Sequence, residues 1–313
     1  MAVEPLDSAG MSTDIVVVGS LNHDITLLTT HHPGPGETVL GTGHYSDNGG
    51  KGANQAIAAA RLGASVAMVG LVGHDGHGAS LTSALKNEGI DITGVGIDPE
   101  TPTGLAVITV DAEAENTIVV SPGANARIGP DHIDRHRTLL ADARMVLAQL
   151  EIPVATVAAA AAAAKGMFCL NPAPATDLPP ELRSRVDVLI PNRSELASLA
   201  GVQEPSSITE VVDAVERVDI AAIVIVTLGA DGALVVEGKK TTHVEAPEVR
   251  SVDPTGAGDA FCGALADGIS RGLWVGEATR RAVVAGALAT TRPGAQAGLP
   301  TADELDDALS RLG

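Results

Sequence analysis

Residues 48–56 read NGGKGANQA, and whether they hold a nucleotide decides which end of the α/β chain does the chemistry. A lysine among glycines can open a phosphate-binding P-loop, whose signature is GxxxxGK followed by a Ser or Thr that holds magnesium. Here Gly52 follows Lys51, no hydroxyl is in place, and no apolar strand leads into the stretch. That grammar argues against a nucleotide cradle. What remains is a glycine turn where backbone approaches a ligand closely, opening the helix ANQAIAAARLG that ends at Gly63. Lys51 and Asn54 project from the start of that helix and suit the hydroxyls of a small polar molecule. A plain capping turn would not account for both of them crowding one turn.

Outward from this turn, short β-branched runs recur: IVVVGS (15–20), VAMVG (66–70), MVLAQL (145–150), VDVLIPN (186–192) and AIVIVTLG (222–229). Helix-like stretches separate them. Near-continuous apolar strands alternating with helices predict a doubly wound, mostly parallel α/β sheet covered on both faces. Ligands of such sheets gather beyond the carboxyl ends of the strands. That singles out Asn22, Asp24, Glu151, Asn192, Glu195 and Thr227. Two segments, 22–47 and 103–121, alternate instead, and the second turns as a hairpin at DAEAEN. Antiparallel pieces inserted into a parallel pattern predict a small β-sheet lid, covered by substrate or by a second copy of the chain. Residues 13–313 are thus expected to form one α/β domain carrying the lid, with 1–12 a flexible leader.

Composition narrows the function. With two Phe, one Tyr and one Trp, the chain lacks the stacking platforms of a single-strand nucleic-acid binder. Its formal charge of −19 would repel a phosphate backbone. Cys169 and Cys262 show no CxxC spacing and read as reduced thiols of a cytoplasmic protein. The apolar run at 153–165 is too short for a bilayer and is an Ala-rich helix. His132 and His136 stand four apart without a third ligand, a solvated helix face rather than a zinc site.

A second glycine stretch, DPTGAGDAFCGALADGI at 253–269, bares the amides of Gly256, Ala257 and Gly258 ahead of a helix. Unsatisfied N–H groups and the helix dipole converge there on an anion site. Asp259, in the first turn, would by itself read as an N-cap. A carboxylate within reach of an anion-stabilising turn is also the minimum for phosphoryl transfer to a hydroxyl.

GGKGANQA and DPTGAGDAF together resemble the two signature regions of the ribokinase-like (PfkB) carbohydrate kinases. GSLNHD, PGETV, AQLEIP, NPAPA, PNRSE, TLGADG and TRPGAQ are similar to further segments of that family, in the same order along nearly the whole chain. The resemblance implies ATP-dependent phosphorylation of D-ribose at O5, giving ribose 5-phosphate and ADP. A related kinase of deoxyribose, a nucleoside or another furanose is the alternative, and a sugar sensor without catalysis is a third reading. By resemblance Asp259 is the general base, and the amides of Gly256, Ala257 and Gly258 face the transferred phosphoryl group. Ribose falls to Asn22, Asp24, Gly50, Lys51, Gly52, Asn54, Glu151 and Asp259. The nucleotide falls to Asn192, Thr227, Gly229, Asp231, Gly232, Gly258 and Val283. Glu195 organises magnesium through water, although Asn192 and Glu195 taken by themselves read equally well as a capping pair. An activating potassium ion falls to Asp253, Thr255, Ala289, Arg292, Gly294 and Gly298. Two positions depart from the family: Val283 stands where an Asn or His commonly faces adenine, and Gly298 where a Ser commonly supplies a cation ligand. Edge-strand physics and the resemblance together imply a homodimer in which two lids clasp. His23, between Asn22 and Asp24, points the other way.

Overall fold

The computed structural model describes residues 13–113, 115–220 and 222–312, so the leader expected at 1–12 lies outside the described residues. In chain order the strands are β1 (Ile15–Val18), β2 (Asn22–Leu28), β3 (Gly43–Gly49), β4 (Val66–Gly73), β5 (Asp91–Asp98), β6 (Gly104–Val110) and β7 (Asn116–Ser121). They continue as β8 (Met145–Ala148), β9 (Met167–Leu170), β10 (Val188–Leu189), β11 (Ile223–Thr227), β12 (Ala233–Glu237) and β13 (Lys240–Val244). Among the described residues they form a nine-stranded sheet, β13-β12-β11-β10-β9-β8-β1-β4-β5, and a four-stranded sheet, β3-β2-β6-β7. The large sheet runs parallel from β5 to β11 and ends in the antiparallel pair β12–β13.

β1 explains why apolar runs here are continuous. Its four residues are fully buried, with Ile15 and Val17 in one core and Val16 and Val18 in the other, so both faces of the sheet are covered. Parallel pairing demands this, because crossover helices coat both faces. The chain leaves β1 for β4 on one side and later returns to β8 on the other. The strand order therefore reverses at the β1–β8 pair, and a crevice opens beyond Val18 and Ala148.

The alternating segments form the small sheet. β2 pairs antiparallel with β3 and parallel with β6, and β6 pairs antiparallel with β7. The β6–β7 turn closes with Asp111 N donating to Glu115 O at 3.0 Å. Asn22 and Asp24, two apart on β2, share a face. His23 lies on the other, its ring stacked on His77 with centroids 3.9 Å apart. Exposed apolar side chains, Leu27, Leu28, Tyr45, Ile118, Val119 and Val120, decorate the outer part of this sheet.

Two readings need correction. The run 186–192 shortens to a two-residue strand, because Pro191 has no N–H and Asn192 turns to start a helix. His132 is buried rather than solvated: its Nε2 pairs with Gly94 O at 2.9 Å and its Nδ1 with Arg135 at 3.0 Å.

Candidate active site

The NGGKGANQA turn wraps over the link between β1 and β2. Gly50 adopts φ +90°, and a side chain on Gly52 would begin 2.6 Å from Ser20 N. Only glycine allows this contact. The turn launches the helix Lys51–Arg61, which no side chain of its own N-cap residue completes. Glu151, arriving past β8, supplies that cap. Its Oε2 accepts from Lys51 N at 3.1 Å and from the Ser20 hydroxyl, an anion held at a helix start in the switch-point crevice.

The helix Ala257–Ser270 begins after Gly256, at φ +79°, again without a side-chain cap. Of the three amides expected to be bare, Ala257 N already reaches Pro254 O at 3.2 Å. The two glycine-led helices pack closely, since a side chain on Gly263 would begin 2.5 Å from Ala58 Cβ. That approach sets their N-termini side by side. Asp259 accordingly does not cap its own helix. It is 7% exposed, and its Oδ2 accepts from Asn54 Nδ2 and its Oδ1 from Gln55 Nε2, both at 2.9 Å.

Acidic groups converge on Lys51. Burial would lower its ammonium, but Asp259, Glu151 and Glu195 outweigh that and hold it above the ordinary lysine value. Asp24 pays the opposite way: burial first, then Glu151, Asp47 and Asp259, push its carboxyl up to about 7. Its carboxylate rests against Gly49, where an added Cβ would have no room. Asn22 is fixed from behind by Asn125, whose Nδ2 donates to Asn22 Oδ1 at 2.7 Å.

Two cavities meet at this point. The smaller, about 230 Å³, is lined by Lys51, Asn171, Asn192, Glu195, Gly256, Gly258 and Asp259 among others. The larger, about 670 Å³, runs past Thr227, Gly229, Gly232, Val249, Phe261, Val283 and Ala287. Thr227, Pro254 and Gly258 line both. Asn192 and Glu195 do form a capping box, with Glu195 N donating to Asn192 Oδ1 at 2.8 Å and Asn192 N to Glu195 Oε2 at 2.9 Å. They line the smaller cavity as well, so the two interpretations coexist. Burial raises the Glu195 carboxyl despite the Asn192 bond. Asp231 lines neither cavity and pairs with Arg193 at 2.9 Å.

Beside the anion turn, Asp253 accepts from Gly294 N at 2.8 Å and from Thr255 N at 2.9 Å. Burial works against its ionised form, but these bonds win and keep it below the usual carboxylate range. A side chain on Gly298 would begin 2.7, 3.0 and 3.3 Å from the carbonyl oxygens of Ala289, Gly294 and Arg292. Three backbone oxygens thus surround one small space, which a Cβ would fill.

The amide groups behind these residues carry no local sequence signal. Gln55, Gln149 and Asn171 link to Asp259, and Gln296 Nε2 donates to Asn54 Oδ1 at 3.0 Å. Gln55 follows Asn54 in the quoted turn, but only the fold reveals its partners.

A profile of the pfkB family of carbohydrate kinases matches residues 12–302. The chain is 36% identical to ribokinase of Haemophilus influenzae over 305 residues, covering 94% of this chain and 97% of that one. It is 35% identical to deoxyribokinase of Salmonella typhi over 310 residues, covering 95% and 99%. The structure of Arabidopsis thaliana ribokinase complexed with ribose and ATP is similar with a TM-score of 0.89 and 32% identity, over 96% of this chain and 99% of that one.

Proposed function

The chain belongs to the pfkB family of carbohydrate kinases, and on that premise we propose that it transfers the γ-phosphoryl group of ATP to O5 of D-ribose. The products are ribose 5-phosphate and ADP. One observation carries this reading. Asp259 borders the smaller cavity at the start of a helix whose Gly258 also borders the larger, so a base and an anion-binding turn meet where the cavities join. The similarity to a ribokinase complexed with both ribose and ATP supports the choice of ligands.

In the proposed step Asp259 accepts the O5 proton as O5 attacks the γ-phosphorus. The O5–P bond forms, the bond from phosphorus to the β–γ bridging oxygen breaks, and ADP leaves. The amides of the Gly256–Gly258 turn face the charge on the transferring group, aided by the helix dipole. Lys51, Asn54, Asn22, Asp24 and Glu151 supply donors and acceptors for the remaining hydroxyls, which buried sugars need in place of water. The larger cavity takes the base against Val283, Phe261 and Val249. Apolar packing against Val283 gives weak selectivity among purines.

Among the described residues no three His, Cys, Asp or Glu side chains converge as a metal site. Magnesium would ride on the triphosphate, with Glu195 oxygens reaching it through water. Bound there, magnesium neutralises phosphate charge. The carbonyls of Ala289, Arg292 and Gly294, with Asp253 and Thr255 nearby, offer the neutral oxygen donors that a potassium ion takes. Such an ion would shape the anion turn electrostatically. The exposed apolar residues of the small sheet support a homodimer through the lid. Two unpaired, buried thiols, Cys169 and Cys262, support a cytoplasmic setting. Among the described residues no helix is long and apolar enough to cross a membrane.

An ADP-release assay over ribose, deoxyribose, nucleosides and hexoses, with potassium or sodium, tests the proposal. The expected result is the highest kcat/KM on ribose, with potassium raising the rate. A preference for deoxyribose would favour the second substrate, in line with the Salmonella relative. Tight ribose binding without ADP release would make the chain a sensor.

A further inference from the structure

Behind Asp259 lies a cluster of amide side chains from three places in the fold. Gln55 comes from the helix Lys51–Arg61, Gln149 follows β8, and Asn171 follows β9. Gln55 and Gln149 are each 0% exposed, so neither touches a ligand in the cavities. Gln55 Nε2 donates to Asp259 Oδ1 at 2.9 Å and to Asn171 Oδ1 at 3.1 Å. Its Oε1 accepts from Gln149 Nε2 at 2.6 Å. Asn171 Nδ2 is tied in turn to Ile190 O at 2.9 Å.

Gln55 and Asn171 have forced orientations. Flipping Gln55 would turn its oxygen toward two acceptors and its NH₂ toward the Gln149 donor. Flipping Asn171 would set its oxygen against Ile190 O and its NH₂ against that of Gln55. The cluster is therefore a rigid bracket anchored at the carboxyl ends of adjacent parallel strands. Asn54 holds only Oδ2 of Asp259 and would let the carboxylate swing about that oxygen. The bond from Gln55 to Oδ1 removes this freedom.

The chemistry of the donor matters too. A lysine or arginine in the place of Gln55 would hold the carboxylate as firmly, but its full positive charge would make the carboxylate a poorer base. A neutral amide fixes the plane of the group without adding a charge beside it.

We propose that Gln55, braced by Gln149 and Asn171, is a positioning residue for phosphoryl transfer that locks the Asp259 carboxylate facing the acceptor hydroxyl. The proposal rests on the phosphotransferase reading of the site. Misplacing a reacting group by about 1 Å can cost on the order of 100-fold. Contacts to the other sugar hydroxyls, made by other residues, stay as they are.

The test compares wild type with Gln55→Leu in the full chain, by steady-state kinetics with ribose and ATP, ribose calorimetry and thermal melting. The expected result is a kcat lowered about 10- to 100-fold, with ribose KM and Kd within about threefold of wild type. A merely structural role predicts a lower melting temperature with kcat of the folded protein unchanged, and that result overturns the proposal. So does a ribose affinity that falls in step with kcat. If Gln55→Leu does not fold, Gln149→Met gives the second arm. It removes the donor bracing Gln55, and because Gln149 Oε1 has no partner among the described residues, removing that oxygen also removes an unsatisfied group. Its kcat should fall about 3- to 10-fold at constant ribose KM; an unchanged kcat overturns the proposal. A wild-type chain that releases no ADP on any sugar overturns the phosphotransferase reading and this inference with it. An active wild type with an equally active Gln55→Leu overturns the inference alone.

Discussion

Replacing Asp24 by Asn isolates the cost of crowding carboxylates beneath the lid. Burial, then Glu151, Asp47 and Asp259, raise the Asp24 carboxyl from 3.8 to about 7. In the unfolded chain it returns to about 3.9. Between those values the native state holds a proton that the unfolded chain has lost. Stability therefore falls as pH rises from about 4 to about 7, and the loss is complete above that. At about 1.36 kcal/mol for each tenfold change, the displacement of about 3 amounts to about 4 kcal/mol at most. Water in the half-open cleft screens the partly exposed carboxyl, which brings the figure to about 2 kcal/mol. Asparagine keeps the shape that fits against Gly49 and removes the charge. For a chain of this size about 2 kcal/mol is about 4 °C in Tm. Differential scanning calorimetry at pH 8 should show Asp24→Asn melting about 4 °C above wild type, and below about pH 4 about level with it. The gain comes at the expense of the sugar site: losing a charged acceptor for ribose should raise its KM about tenfold. A variant that melts lower at pH 8, or is shifted equally at both pH values, would refute the reasoning.

Three further outcomes are expected. Asp75 accepts from Thr103 N, Thr103 Oγ1 and Gly78 N, tying the helix Gly76–Asn87 to the root of β6. Burial opposes ionisation, but those bonds hold its carboxyl down at about 2. Its contribution is present above about pH 4 and lost as pH falls through about 2, so Asp75→Ala should cost about 1 kcal/mol in urea melts at pH 7 and less at pH 3. In Gly298→Ala the new methyl would begin 2.7 Å from Ala289 O. Its activity in potassium should drop to the potassium-free rate of wild type, and an undiminished potassium response would remove the carbonyl cradle as the ion's site. Val119, 72% exposed on β7, should support lid pairing; Val119→Lys should shift light scattering from dimer toward monomer, and a wild type already monomeric would end the clasp proposal.

Much of the fold can be read from periodicity because its parallel strands are buried on both faces. IVVVGS, VAMVG and AIVIVTLG carry that signal undiluted. β5 escapes notice because Gly94 and Gly96 interrupt DITGVGID. Both glycines answer to tertiary neighbours: side chains there would begin 2.7 Å from Met68 O and 2.8 Å from the His132 ring. The same packing buries His132, whose polar type and helical spacing gave the opposite expectation. β9, with MFCL, is only four residues long and carries no β-branched side chain. At the site, glycine turns and the carboxylate next to them are local features, so Lys51, Asn54 and Asp259 stood out. The bracket of Gln55, Gln149 and Asn171 did not, since its members are separated by up to 116 residues and meet only when the strands align. Gln296 on Asn54 is a contact of the same kind, spanning 242 residues.

The role of Asp259 stands or falls with the turnover of Asp259→Asn. Calorimetry should find ribose and ATP bound within about threefold of wild type, while single-turnover quench experiments find phosphoryl transfer slowed about 100- to 10,000-fold. Transfer at a rate near wild type in that variant would mean that another group takes the O5 proton.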